Sequence, residues 1–220
     1  MKEKSISFSK WTIDDVVENL GIEVSYLSEG MGYWLEYSEK PSEEEGKVIE
    51  HLHLSFVQNA NIWNERELEI FFLARLIGLV GYEQIGNGIK PFAERELRAT
   101  VGGYEISGEV DWLISKGFGR PKQPYFCIKE FKKVKNSSND PEGQLAAAMI
   151  AAQVLNNNEQ TMYGAYLLGR DWTFCTLNGK KFIQSPPYSA ATQQGLTDIF
   201  MIMKNLKNII IAQITKDGIQ

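Results

Sequence analysis

Two carboxylates and one ammonium lie close together along two apolar, strand-like runs of the sequence. Asp111 lies in the run 108–114, and a second run that begins at Tyr125 leads into Glu130 and Lys132. Because side chains alternate between the two faces of a strand, Glu130 and Lys132 are expected to point the same way. If the two strands pair as an antiparallel hairpin, Asp111 and Glu130 lie side by side. They would then offer oxygen ligands to Mg²⁺, with positions open for water and a phosphate.

A predicted helix precedes these strands. Asn64 is a residue type that caps helices, and the apolar body that follows ends before Gly81. Glu65 and Glu69 are one turn apart near the start of this helix, so at least one of them is expected to point inward toward the sheet. The alternative is that both only complement the positive end of the helix dipole.

A second helix is predicted after the strands. Asp140 and Pro141 form a strong helix start, and the alanine-rich body that runs to Leu155 is thin enough to lie close against a sheet. Gln144 lies in the first turn, where its amide is within reach of a phosphate or of Lys132. The alternative for Gln144 is a solvated surface position.

The remaining pattern predicts a mixed α/β fold. A turn at Gly102 and Gly103 opens the strand that carries Asp111, and strands are predicted at 162–168, 172–177 and 181–184. A helix over 192–212 closes the chain. We expect a mixed central sheet flanked by helices, in the α/β (α+β) class.

The first 60 residues give a weaker pattern. A short helix is predicted at 12–21, an exposed acidic loop at 41–46, and a strand at 48–57 that carries His51 and His53. The two histidines have no Cys or Asp at metal-ligand spacing, so we expect structural roles for them. We interpret residues 1–60 as an N-terminal extension packed on a core domain formed by residues 61–220.

Composition limits the class of protein. The chain has 220 residues, a hydrophobic fraction of 43% and a net charge of −5, which argues against a sequence-independent nucleic-acid coat but not against a nuclease. No apolar stretch is long enough for a membrane span and no secretory signal is visible, so a cytoplasmic protein is expected. Cys127 and Cys175 are expected to be reduced core thiols. Positive charge concentrates around the proposed site, at Lys116, Arg120, Lys122, Lys129, Lys132, Lys133 and Lys135.

The order helix, three strands, helix, strand, with Asp111 on the second strand and Glu130-x-Lys132 on the third, resembles the PD-(D/E)XK nuclease superfamily. The resemblance runs from Asn64 to Leu177 and implies the restriction-endonuclease-like fold, with an αβββαβ core. One departure is Val110, which replaces the proline found before the Asp in the family motif.

The resemblance also implies roles for single residues. Asp111 and Glu130 would be metal ligands together with the main-chain carbonyl near Phe131, and Lys132 would be the catalytic lysine. Glu65 or Glu69 matches the acidic residue that many members carry on the first helix, with the sequence around Asn64 favouring Glu65 slightly. Gln144 matches the glutamine often found at the start of the helix after the third strand.

The implied function is a Mg²⁺-dependent or Mn²⁺-dependent nuclease, a phosphodiester hydrolase that acts on DNA. In such a site the metal polarises a phosphodiester oxygen and lowers the pKa of a bound water, while the lysine orients or deprotonates that water. Many nucleases of this class cut as dimers, so a homodimer is also implied.

The alternative is a catalytically inactive module that keeps the fold to bind nucleic acid or protein. A third interpretation reduces Glu130 and Lys132 to a same-face ion pair on one strand.

Overall fold

A mixed β-sheet is the centre of the molecule. The computed structural model describes residues 4–132, 140–157 and 160–217. Their nine strands join in one sheet in the order β1-β4-β5-β6-β7-β8-β2, with β3 paired to β4 and β9 paired to β7. The strands are β1 (Lys4–Ser7), β2 (Glu23–Ser25), β3 (Ile89–Val101), β4 (Tyr104–Lys116), β5 (Gln123–Lys132), β6 (Met162–Leu168), β7 (Asp171–Asn178), β8 (Lys181–Gln184) and β9 (Tyr188–Ser189).

Helices cover both faces of this sheet, so the predicted mixed sheet flanked by helices is confirmed. One apolar cluster joins one face to α2, α3, α5 and α7, and a second joins the other face to α1 and α6. The helices are α1 (Ile13–Leu20), α2 (Gly32–Leu35), α3 (Glu43–Asn59), α4 (Glu65–Leu68), α5 (Ala74–Val80), α6 (Pro141–Leu155) and α7 (Gln193–Asp217). A π-helical turn, Glu69–Leu73, joins α4 to α5.

The predicted order of elements around the candidate residues is confirmed. The stretch from Asn64 to Val80 is helical, β3 and β4 form a hairpin around Gly102 and Gly103, and β5, α6 and β6 follow. Strands β4 and β5 pair antiparallel, whereas β5 and β6 pair parallel. The parallel pair follows because α6 carries the chain back across the sheet before β6 begins.

Helix α6 lies directly on the sheet, as its alanine content predicts. Residues 141–153 are buried without interruption. At Gly164 of β6, an added Cβ would be 2.4 Å from the Met149 sulfur, so a larger residue here would force the Met149 side chain to move. Tight packing of this kind fixes the position of the α6 N-terminus relative to β5 and β6.

The prediction for residues 41–57 was wrong. These residues hold the start and body of α3, whose N-terminus is a capping box in which Ser42 accepts from Glu45 N and the Glu45 side chain accepts from Ser42 N. His53 lies on this helix and its Nε2 is 3.1 Å from the Ala191 carbonyl oxygen. The buried residues Ile49, Leu52 and Phe56 follow helical spacing.

The first 60 residues contain β1 and β2, the first and last strands of the order β1-β4-β5-β6-β7-β8-β2. Strand β1 pairs parallel with β4, and β2 pairs parallel with β8. Helix α1 packs on α6, and α3 packs on α7. Among the described residues, no helix has both the length and the apolar character needed to cross a bilayer.

Candidate active site

The sheet forks at Asp111. Strand β3 pairs with β4 along the length of β4, so the other edge of β4 must hold both β1 and β5. There, β1 pairs with residues 104–107, and β5 pairs with residues 112–116. Residues 108–111 therefore line a gap in which β4 and β5 separate. A fork in a sheet leaves backbone N–H and C=O groups without the partners that a continuous ladder would give them.

Lys129 is the partner of Asp111 across this fork. The Trp112–Ile128 pairing, extended by one residue, sets Asp111 opposite Lys129, the residue before Glu130. Lys129 Nζ donates to Asp111 Oδ1 at 2.8 Å and to the Glu109 carbonyl oxygen at 3.2 Å. Both charged side chains are only 14% exposed. Lys129, one of the basic residues predicted around the site, therefore forms an ion pair with Asp111.

The Glu-x-Lys segment of β5 contains a bulge. Lys129 pairs with Tyr166 and Lys132 with Leu168, so two residues of β5 lie opposite one residue of β6 between these pairs. A bulge interrupts the alternation of side chains and re-aims them locally. The prediction that Glu130 and Lys132 share a face depended on unbroken alternation. The side chains of Glu130, Phe131 and Lys132 lie outside the described part of the structure.

The alternation of side chains between the two faces of β4 is broken around Asp111. Val110 and Leu113 belong to the same buried cluster although they are three positions apart, which strict alternation forbids. On the neighbouring strand β3, Glu94 lies level with Asp111, between the pairs Ala93–Trp112 and Arg95–Val110. Glu94 has a left-handed φ of 51°. A non-glycine residue in this conformation is strained, and such strain is concentrated at functional sites.

Helix α4 reaches this level of the sheet through Arg66. Its Nη1 donates to Glu69 Oε2 at 2.6 Å and to Glu94 Oε1 at 3.1 Å. Glu69 is buried at 7% exposure, whereas Glu65 is exposed. Glu69 also begins the π-helical turn, a distortion that is frequent at functional sites. Of the two predicted glutamates, Glu69 is thus the buried one, and Arg66 links it to Glu94.

Gln144 is buried rather than solvated. It lies in the first turn of α6 at 4% exposure. Asp140 caps this helix through Oδ1, which accepts from Glu142 N and Gly143 N. Helix α6 packs against β4, β5 and β6, so Gln144 is enclosed on the α6 side of the sheet.

A polar network that the sequence did not reveal begins one strand away from Lys129, on β6. Lys129 is level with Tyr166, whose hydroxyl donates to Gln184 Oε1 at 2.9 Å. Gln184 Nε2 and the Tyr26 hydroxyl both donate to Glu142 Oε1, at 2.6 and 3.0 Å. Burial raises the pKa of Tyr166, so this residue remains a donor. The four contributing segments are distant in sequence and show no common motif.

The cysteines contribute packing. Cys127 and Cys175 are buried and form no disulfide. Burial raises the pKa of Cys127 to about 12, which disfavours a reactive thiolate. The prediction of free core thiols is confirmed.

Within the described residues, no three His, Cys, Asp or Glu side chains come together as a metal-binding group. Glu130, the predicted second ligand, is outside that set of side chains. No protein-family model matches the chain, and no curated protein matches it either.

Proposed function

We propose that the protein is a metal-dependent nuclease with a restriction-endonuclease-like core that hydrolyses phosphodiester bonds in DNA. The observation that carries the proposal is the position of Asp111 at the fork between β4 and β5, immediately beside the strand segment that holds Glu130 and Lys132. Glu69 and Gln144, to which the sequence resemblance also gives roles in the site, are both buried.

The oxygens at the fork fit a hard divalent cation. Asp111 Oδ1 and the Glu109 carbonyl oxygen already share one cationic group, the Lys129 ammonium. Carboxylate and carbonyl oxygens are the donors that Mg²⁺ and Mn²⁺ take in proteins. Asp111, Glu130 and the main-chain carbonyl of Phe131 would hold the ion. Glu69, or less favourably the exposed Glu65, would hold a water of its shell.

The bound ion would polarise a phosphoryl oxygen and lower the pKa of a coordinated water. Lys132 would orient the attacking water, accept its proton or offset negative charge on the phosphorane. Gln144 would position Lys132 or a substrate phosphate. Hydrolysis would then break the phosphorus–oxygen bond to the leaving nucleotide, which takes up a proton from solvent.

One observation favours a second candidate, a module that keeps the nuclease fold for binding and does not cleave. The Lys129 ammonium compensates the charge of Asp111 without a metal ion. A protein that had lost metal binding would need such compensation, because an uncompensated, partly buried carboxylate is costly.

The two candidates differ in cleavage. Linear and single-stranded DNA, and RNA of the same sequence, would be incubated with the wild type and with Lys132→Ala in Mg²⁺, in Mn²⁺ and in EDTA. The nuclease proposal predicts metal-dependent cleavage of DNA by the wild type and at least a ~100-fold loss in Lys132→Ala, the usual size of a general acid–base contribution. Binding without cleavage under every metal condition would favour the second candidate.

A further inference from the structure

We propose that Lys129 is a positioning residue. Its ammonium holds the Asp111 carboxylate until a divalent metal ion binds Asp111 and displaces the ammonium. This inference depends on the proposed metal site and extends it to the control of metal binding. It concerns the lysine directly before the Glu-x-Lys segment, to which the sequence resemblance gives no role.

The contacts of Lys129 support this role. Its ammonium is 2.8 Å from Asp111 Oδ1 and 3.2 Å from the Glu109 carbonyl oxygen, and it lies between them in the gap of the sheet. These two atoms are oxygen donors of the kinds that a divalent ion requires. The ammonium therefore occupies Asp111 Oδ1, an oxygen that the proposal assigns to the metal, and the two cations compete for it.

Burial strengthens the interaction. Asp111 and Lys129 are each 14% exposed, so solvent screens this pair less than an exposed ion pair. Removing one partner would leave the other charge in a poorly solvated position. Lys129 thus stabilises the metal-free fork and holds the Asp111 carboxylate in place.

The same charge opposes the metal. A divalent ion that binds Asp111 meets a like charge only a few ångströms away, and like charges repel strongly where screening is weak. Metal binding should therefore drive the Lys129 ammonium away from Asp111 and expose it. The affinity for metal is lowered by the free energy of the ion pair that must be broken.

Isothermal titration calorimetry with Mn²⁺ and no nucleic acid tests this competition. Lys129→Met removes the charge and keeps most of the length, whereas Lys129→Arg keeps the charge. Lys122→Met, an exposed lysine on the loop before β5, controls for general loss of positive charge. We expect Mn²⁺ to bind Lys129→Met about three- to tenfold more tightly than the wild type, since that range corresponds to the loss of one competing ion pair. Lys129→Arg and Lys122→Met should stay within about twofold of the wild type.

A labelling measurement on the wild type covers the case in which Lys129→Met does not fold. Acetylation of Lys129 by an amine-reactive ester, quantified by mass spectrometry, should be faster in Mg²⁺ than in EDTA, with Lys122 as the internal reference. An unchanged rate in a metal concentration that saturates the protein would overturn the inference.

The outcomes separate this inference from the proposed function. Asp111-dependent Mn²⁺ binding that is unchanged or weaker in Lys129→Met overturns the competition and leaves the metal site intact. Mn²⁺ binding that is equal in the wild type and in Asp111→Asn, or absent from all variants, removes the metal site itself. Tighter binding in Lys129→Met, abolished by the added Asp111→Asn change, supports both.

Discussion

Asp140 Oδ2 accepts a hydrogen bond from Ile13 N at 3.1 Å, which joins two helix starts that are 127 positions apart in the chain. The other oxygen of the same carboxylate caps α6. One buried acid therefore serves the N-termini of both α1 and α6, where the helix dipoles favour negative charge. Through this residue the first part of the chain fixes the helix that carries Gln144.

Asp140→Ala should cost more stability than the loss of one ordinary cap. Helix α6 loses its cap and Ile13 N at the start of α1 loses its acceptor, so the free energy of unfolding should fall by about 2 kcal/mol, at about 1 kcal/mol for each loss. Ser42→Ala, which uncaps α3 alone, is the matched control and should cost about 1 kcal/mol. Urea unfolding measures both; equal losses would show that Asp140 acts on one helix only.

Gly143→Ala should be strongly destabilising. An added Cβ would lie 2.3 Å from the carbonyl carbon of Thr12, a backbone atom that cannot move aside cheaply. We expect a loss of about 3 kcal/mol or more in the free energy of unfolding, at the upper end of overpacking effects. Gly46→Ala is the control, because it lies in α3 with open space around it and should stabilise by about 0.5–1 kcal/mol. A neutral Gly143→Ala would contradict the close contact of the two helix starts.

The pairing of Glu45 with Lys204 should make stability depend on pH. Burial alone would raise the pKa of Glu45, but hydrogen bonds from Lys204 and from the Ser42 backbone outweigh it and hold the pKa below its ordinary value of 4.5. A carboxyl whose pKa is lowered by folding adds stability above its unfolded-state pKa. That stability is lost as the pH falls through the folded-state pKa.

Glu45→Gln should therefore be less stable than the wild type at neutral pH. Denaturant unfolding between pH 7 and pH 3 should show the two free energies converging once the pH falls below the 4.5 of the unfolded chain. Glu50→Gln, an exposed change on the same helix, controls for loss of a surface charge. A gap that stays constant across this pH range would rule out the linkage.

Glu69 and Glu65 should differ in their effect on cleavage. Glu69 is enclosed and linked through Arg66 to Glu94, level with Asp111, whereas Glu65 is exposed. We expect Glu69→Gln to lower the rate of metal-dependent DNA cleavage by at least ~10-fold, because a misplaced metal water costs transition-state stabilisation. Glu65→Gln should change the rate by less than about twofold. The reverse order would assign the role to Glu65, the residue that the sequence slightly favoured.

The elements that could be predicted are those whose signals are local. The start of α6 at Asp140 and Pro141, the α4 cap at Asn64 and the turn at Gly102 follow from residues next to each other in sequence, and all three are present. The failure at α3 is local too. The alternation around His51 and His53 suggested a strand, while the Ser42-x-x-Glu45 capping box and the helical spacing of Ile49, Leu52 and Phe56 indicated the helix.

The site was only partly predictable, because its geometry depends on register and on irregular backbone. Hydrophobic pattern indicates that β4 and β5 are strands, but not that Asp111 lies opposite Lys129. Neither the left-handed Glu94 nor the bulge before Lys132 has a glycine or proline to mark it. The contacts of Glu142 with Gln184 and Tyr26 join segments far apart in sequence, which a single sequence does not reveal.

The most direct measurement compares DNA cleavage by the wild type and by Asp111→Asn in Mg²⁺, with the unfolding midpoint of each protein recorded in EDTA. Asparagine keeps the size of the side chain but removes the charge that a divalent ion requires. We predict cleavage by the wild type that stops in EDTA, and a loss of at least ~100-fold in Asp111→Asn while the protein stays folded. Equal cleavage by both proteins, or no cleavage by the wild type in Mg²⁺ or Mn²⁺, would contradict the assignment of this fork as a nuclease site.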